Sequence, residues 1–97
     1  MSELVLVEFK VKPESVSGMK SYLAEILPDT RVYEGCQEIE AYFNMEDAGT
    51  IILVERWTSR AHYEKYFAWR KETGVLDKIG SMLAGPPSIQ YFQRIET

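Results

Sequence analysis

The chain has a single histidine, His62, set four residues ahead of Tyr66. On a helix those two positions are neighbours on one face. Histidine titrates near neutral pH and can take a proton from a bound hydroxyl. A tyrosine hydroxyl can hold a ligand oxygen by a hydrogen bond. His62 and Tyr66 are therefore the candidate catalytic pair. The plainer reading leaves His62 in solvent or in helix packing, and Tyr66 in the core. Tyr63 and Phe67, also four apart, would either line an aromatic pocket or pack as ordinary core residues. Phe43, Trp57 and Met82 are further candidates for the wall of a substrate pocket.

These residues gather around one stretch, Thr50 to Trp69. Ile51, Ile52, Leu53 and Val54 suit a buried strand. Thr58 and Ser59 can accept hydrogen bonds from the first free N–H groups of a helix, so the strand should stop and a helix begin there. That helix is expected to run to about Trp69 or Arg70. Trp69, off the main stripe, is expected to be partly exposed or to meet a partner subunit.

Upstream, Leu4 to Val11 alternates, with Val5, Val7, Phe9 and Val11 on one face. Lys12-Pro13 ends that strand. A helix is expected from Glu14 to Tyr33, with Val16, Met19, Tyr22, Leu23, Ile26 and Leu27 as its apolar stripe. Pro28 removes one helical hydrogen bond, so a kink or break is expected near Leu27. Cys36 to Met45 reads as a strand, with Ile39, Ala41 and Phe43 on one face and Cys36, Glu38, Glu40, Tyr42 and Asn44 on the other. A short turn at 46–49 makes it a hairpin with the next strand. Gly74 to Leu83 reads as a second helical piece, ended by Gly85-Pro86-Pro87. Ser88 to Ile95 is the last strand. The order β-α-β-β-α-β is the ferredoxin-like arrangement, an α+β fold whose antiparallel four-stranded sheet carries helices on one side. The strands are apolar on both faces, so the open face is expected to meet a second copy, giving a homodimer.

With 97 residues the chain is expected to be one domain, 1–97. Its net charge of −4 argues against nucleic acid, which needs a basic surface. No apolar run is long enough to span a membrane. There is no basic-then-apolar start of the kind a signal peptide has, and the one cysteine, Cys36, cannot close an internal disulfide. A cytoplasmic protein is the expectation.

Four pieces resemble a known family: F-K-V-K-P at Phe9 to Pro13, E-G-C at Glu34 to Cys36, V-E-R-W at Val54 to Trp57, and L-A-G-P-P at Leu83 to Pro87. Their order and span are similar to the antibiotic biosynthesis monooxygenase (ABM) family of small dimeric α+β-barrel proteins. The resemblance implies a homodimer whose sheets form a barrel, with a pocket between sheet and helices in each subunit. It implies oxidation of a small phenol- or quinol-like aromatic with O₂ and no cofactor, as in some relatives. The alternative is a non-catalytic dimeric module that binds a small ligand or serves in stress. Two positions where relatives often carry a helix histidine are Tyr66 and Lys71 here. No histidine lies near Leu76 to ligate haem iron, so haem breakdown is not expected.

Glu8, Glu38, Glu40 and Glu55 could together bind a metal or act as acid and base. No Asp, Glu or His spacing matches a recognised metal site. They are read instead as polar residues of a barrel interior, paired with Lys10, Arg56 or Arg94 from either chain. Cys36 has no visible base beside it and reads as a packing residue. Gly74, Gly80 and Gly85 form no phosphate-binding pattern.

Overall fold

The computed structural model describes residues 3–97; Met1 and Ser2, the first two of the expected domain, lie outside the described residues. Strand β1 (Glu3–Lys10) leads through a 3-10 turn (Pro13–Ser15) into helix α1 (Val16–Arg31). Strands β2 (Cys36–Phe43) and β3 (Thr50–Trp57) form a hairpin. Helices α2 (Arg60–Glu72) and α3 (Val75–Ser81) precede strand β4 (Ser88–Phe92). The sheet order is β2-β3-β1-β4, every pair antiparallel. This is the expected ferredoxin-like α+β fold, its second helical layer divided in two.

Alternation decides which side of the sheet meets the helices. Val5, Val7 and Phe9 are buried and sit opposite Glu55, Leu53 and Ile51 of β3. Met19, Leu23, Ile26 and Leu27 of α1 cover them. The other face shows Leu4, Leu6, Ile52 and Val54, only half-buried.

Two expectations need correction. α1 continues through Pro28 to Arg31 as one element. The N–H that Pro28 lacks would have met the carbonyl of Ala24. Both residues are exposed, so water can take the freed carbonyl and no break is forced. In β2, Cys36 pairs with Trp57 while Glu38 pairs with Arg56, leaving Gln37 as an extra residue. Such a bulge flips the alternation. Cys36 therefore shares the inner face with Ile39, not the outer face with Glu38.

The start of α2 follows the capping expectation. Ser59 is extended, with φ −155°, and its Oγ accepts a hydrogen bond from the His62 N–H at 3.2 Å. Gly74, with φ +83°, takes the left-handed turn that separates α2 from α3.

Candidate functional site

Between the sheet and the three helices lies a cavity of about 200 Å³. Val7, Phe9 and Leu53 give it an apolar floor, and Leu23, Phe67, Leu76 and Ile79 give it apolar walls. For scale, a cavity of about 150 Å³ lined by apolar side chains suffices for a benzene ring. Four polar side chains also border it: Glu55, Tyr63, Tyr66 and Arg70.

Glu55 is 2% exposed. It sits mid-strand between Val54 and Arg56, and alternation turns it inward with Leu53 and Trp57. Its Oε1 accepts the Trp57 Nε1–H at 2.9 Å. Oε2 has no protein partner among the described residues, yet no fully buried side-chain polar atom lacks one. Oε2 therefore keeps accessible surface, and the space that Glu55 borders is the cavity. Burial pushes the carboxyl up to about 7, and the Trp57 hydrogen bond only partly opposes this. A carboxyl poised near neutrality in an apolar chamber can take and return a proton.

Tyr63 lies beside it. Its ring packs edge-on against Trp57 and Tyr91, at 5.7 and 5.9 Å between centroids. Burial, reinforced by the charge of Glu55, holds the phenol well above its usual range, so it stays a donor. No hydrogen bond to protein uses its hydroxyl among the described residues, so by the same reasoning the hydroxyl keeps accessible surface, and Tyr63 lines the cavity.

Tyr66 is differently placed. Its hydroxyl lies 2.6 Å from Thr30 Oγ1 and accepts the Arg70 Nε–H at 2.9 Å. Burial raises this phenol too, against the hydrogen bonds from Arg70 and Thr30. Arg70, 4% exposed, also donates from Nη2 to the Ile26 carbonyl at 2.7 Å and to Thr30 Oγ1 at 2.9 Å.

Of the residues singled out from sequence, Tyr63, Tyr66 and Phe67 come together on the cavity. Trp57 is fully buried behind them, its ring 5.0 Å from that of Tyr66, and reaches the cavity through its hold on Glu55. His62 does not border the cavity. Its Nδ1 is 2.7 Å from Ser59 Oγ, and its ring lies against Gly35. Phe43 is half-exposed on the inner side of β2, with the Lys20 ammonium 3.8 Å above its ring, and borders a separate recess of about 290 Å³. Met82 packs between the ends of α1 and α3, facing Gly18. Trp69 is half-buried, stacked on Tyr33 at 5.1 Å.

The four glutamates do not form one group. Glu8, Glu38 and Glu40 are on the outer face, paired with Lys10, Arg56 and Arg31 at 3.8, 3.3 and 3.8 Å. Exposed pairs of this kind contribute little stability. Glu55 stands apart on the inner face, so it is a cavity residue and not part of an interface on the open face. Among the described residues no three His, Cys, Asp or Glu side chains converge as a metal ion would need. Burial, and then the charge of Glu55, push the Cys36 thiol up, which fits a packing role.

Alternation in the sequence puts Glu55 on the face of Leu53 and Trp57, but the grouping with Glu8, Glu38 and Glu40 as a barrel interior between two copies does not hold: Glu55 lines the cavity. The sequence marks Arg70 only as the end of a helix. Its spacing of seven from Tyr63 and four from Tyr66 places it on the same buried stripe.

An antiparallel sheet under three helices, with one carboxyl and one guanidinium bordering an aromatic chamber between them, defines a small α+β protein of ferredoxin-like fold. Residues 4–73 match the family described as antibiotic biosynthesis monooxygenase, and the chain belongs to that family. Among curated proteins it is similar to Putative monooxygenase Rv0793 of Mycobacterium tuberculosis, 24% identical over 85 residues, covering 88% of this chain and 83% of that one. The solved structure of Rv0793 superposes with a TM-score of 0.86 at 20% identity, over 100% of this chain and 98% of that one. A conserved protein from Methanosarcina mazei gives 0.89 at 17% identity, over 98% and 94% of the two chains. A structure described as antibiotic biosynthesis monooxygenase gives 0.88 at 19%, over 99% and 100%. At such identities these structures speak for the fold alone. No helix among the described residues is long and apolar enough to cross a membrane.

Proposed function

We propose that this protein is a cofactor-independent monooxygenase that oxidises a small phenol- or quinol-like aromatic inside the cavity. The observation that carries the reading is Glu55: a carboxyl at about 7, open to an apolar chamber of one-ring size. Phenols are weak acids, and the phenolate gives an electron to O₂ far more readily than the phenol does. Glu55 Oε2 takes the hydroxyl proton, and Tyr63 donates a hydrogen bond to the substrate oxygen. The phenolate and O₂ form a ring carbon–oxygen bond. The resulting peroxide takes the proton back, the ring C–H proton is lost, and O–O cleavage expels water. Phenol and O₂ thus become a quinone and one water, with no outside reductant. The dry walls keep the intermediate from solvent. The proton acceptor in this scheme is Glu55; His62, tied to Ser59 outside the cavity, can act only through the start of α2.

The same reading includes a homodimer acting in the cytoplasm. Leu4, Leu6, Ile52 and Val54, with the exposed Phe92, support it by leaving an apolar strip on the uncovered sheet face.

The test is oxygen uptake with a panel of one-ring hydroquinones, read as the part proportional to protein concentration. The rate should rise with pH around a midpoint near 7, as Glu55 ionises. Glu55→Gln should lower it by about 10²-fold or more. Uptake no faster than autoxidation, or a Glu55→Gln protein as fast as wild type, sinks the proposal and leaves a ligand-binding module.

A further inference from the structure

Arg70 is the one arginine among the described residues that is buried, and no carboxylate there pairs with it. Its Nε and Nη2 hydrogens go to three neutral oxygens, those of Tyr66, Ile26 and Thr30. The Trp69 and Tyr66 rings lie 4.6 and 5.3 Å from the guanidinium carbon and soften the charge without cancelling it. Nη1 has no protein acceptor among the described residues. Because no buried side-chain nitrogen or oxygen among the described residues is left unpartnered, Nη1 keeps accessible surface, and Arg70 is one of the residues that line the cavity. A guanidinium stays charged at any pH a protein survives. A buried, uncompensated charge is costly, so the chamber favours a guest that brings the missing negative charge. Glu55 does not supply it below neutral pH, where its carboxyl is protonated.

We propose that Arg70 Nη1 is an anion-holding group, and that the cavity retains a one-ring aromatic in its ionised form, the anionic oxygen on Arg70 and the ring between Phe9 and Phe67. This deepens the oxygenase reading, since it makes the electron-rich anion the bound species, but it is a statement about binding and needs no turnover. A purely structural Arg70, clamping α2 to α1 through Ile26 and Thr30, would affect stability and leave the protonation state of a guest unchanged.

4-Nitrophenol separates the two, because its phenolate is yellow and its neutral form is not. The titration is run on the whole chain at a pH where the free probe is nearly all neutral. The bound probe should be yellow, and should bind at least tenfold more tightly than nitrobenzene, which cannot ionise. Arg70→Met should lose both the colour and the preference. Arg70→Lys, which keeps the charge, should retain part of each and guards against a Met variant that does not fold, with circular dichroism as the check. Glu55→Gln should still turn the probe yellow. A colourless bound probe, no binding at all, or an Arg70→Met protein that holds the yellow form as tightly as wild type each overturn the anion site. Yellow binding without oxygen uptake from hydroquinones would end the oxygenase reading and leave this one standing.

Discussion

Replacing Glu55 by glutamine should change the way stability depends on pH, by an amount the burial sets. The folded carboxyl titrates at about 7 against 4.5 for an ordinary glutamate. Below 4.5 the folded and unfolded chains both hold the proton, and folding bears no charge penalty. Between 4.5 and about 7 the unfolded chain has released it while the folded chain retains it, so stability falls as pH rises. Above 7 the penalty is complete and constant. At about 1.4 kcal/mol per pH unit the total is roughly 3 kcal/mol. Glutamine keeps the shape and can still accept from Trp57, but has no proton to lose. Urea unfolding of both proteins at one protein concentration and one ionic strength, from pH 4 to pH 8, isolates the effect. The advantage of the variant over wild type should grow by roughly 3 kcal/mol across that range, a shift of about 1–3 M in relative midpoint. Other titrating groups cancel in the difference. A difference that stays flat from pH 4 to pH 8 would mean that Glu55 ionises as it does in water, and the argument for a proton acceptor there would fall with it.

Trp57→Phe removes the indole N–H from Glu55 Oε1. The carboxyl should then titrate still higher, moving the pH–rate profile for oxygen uptake to the alkaline side, with a stability loss of about 1–3 kcal/mol from the unpaired buried oxygen. A profile unchanged from wild type would show that the bond does not tune Glu55. Gly35→Ala places a methyl group 2.5 Å from the His62 side chain at a φ of +90°, where only glycine is at ease. It should lower stability by about 1–3 kcal/mol in urea unfolding, and His62→Gly should restore only the steric share, because the backbone strain remains.

Much of the frame was legible because local rules agree with the fold. Alternation at Val5, Val7 and Phe9 chose the buried face, and Ser59 marked the helix start by its hydroxyl. The family pieces, with E-R-W followed by a helix the most specific, pointed to the right group. Pro28 misled because its cost depends on whether water reaches the Ala24 carbonyl, which the sequence does not state. Cys36 misled because one extra residue in β2 reverses parity, and Gln37 carries no mark of a bulge. His62 stands out in the sequence as the single histidine, the residue type most used for proton transfer, but it faces Ser59 and Gly35 rather than the chamber.

The sequence by itself determined the element order, the inner face of each regular strand and the aromatic stripe of the second helix, since each follows from a period of two or 3.6 residues. Only the tertiary structure decided which charged groups border the chamber. Glu55 and Arg70 are ordinary ions on a solvated strand or helix. Packing α1, α2 and α3 over the sheet removes their water without giving either a partner of opposite charge, and that is what moves the proton affinity of one and leaves the other without a counter-ion.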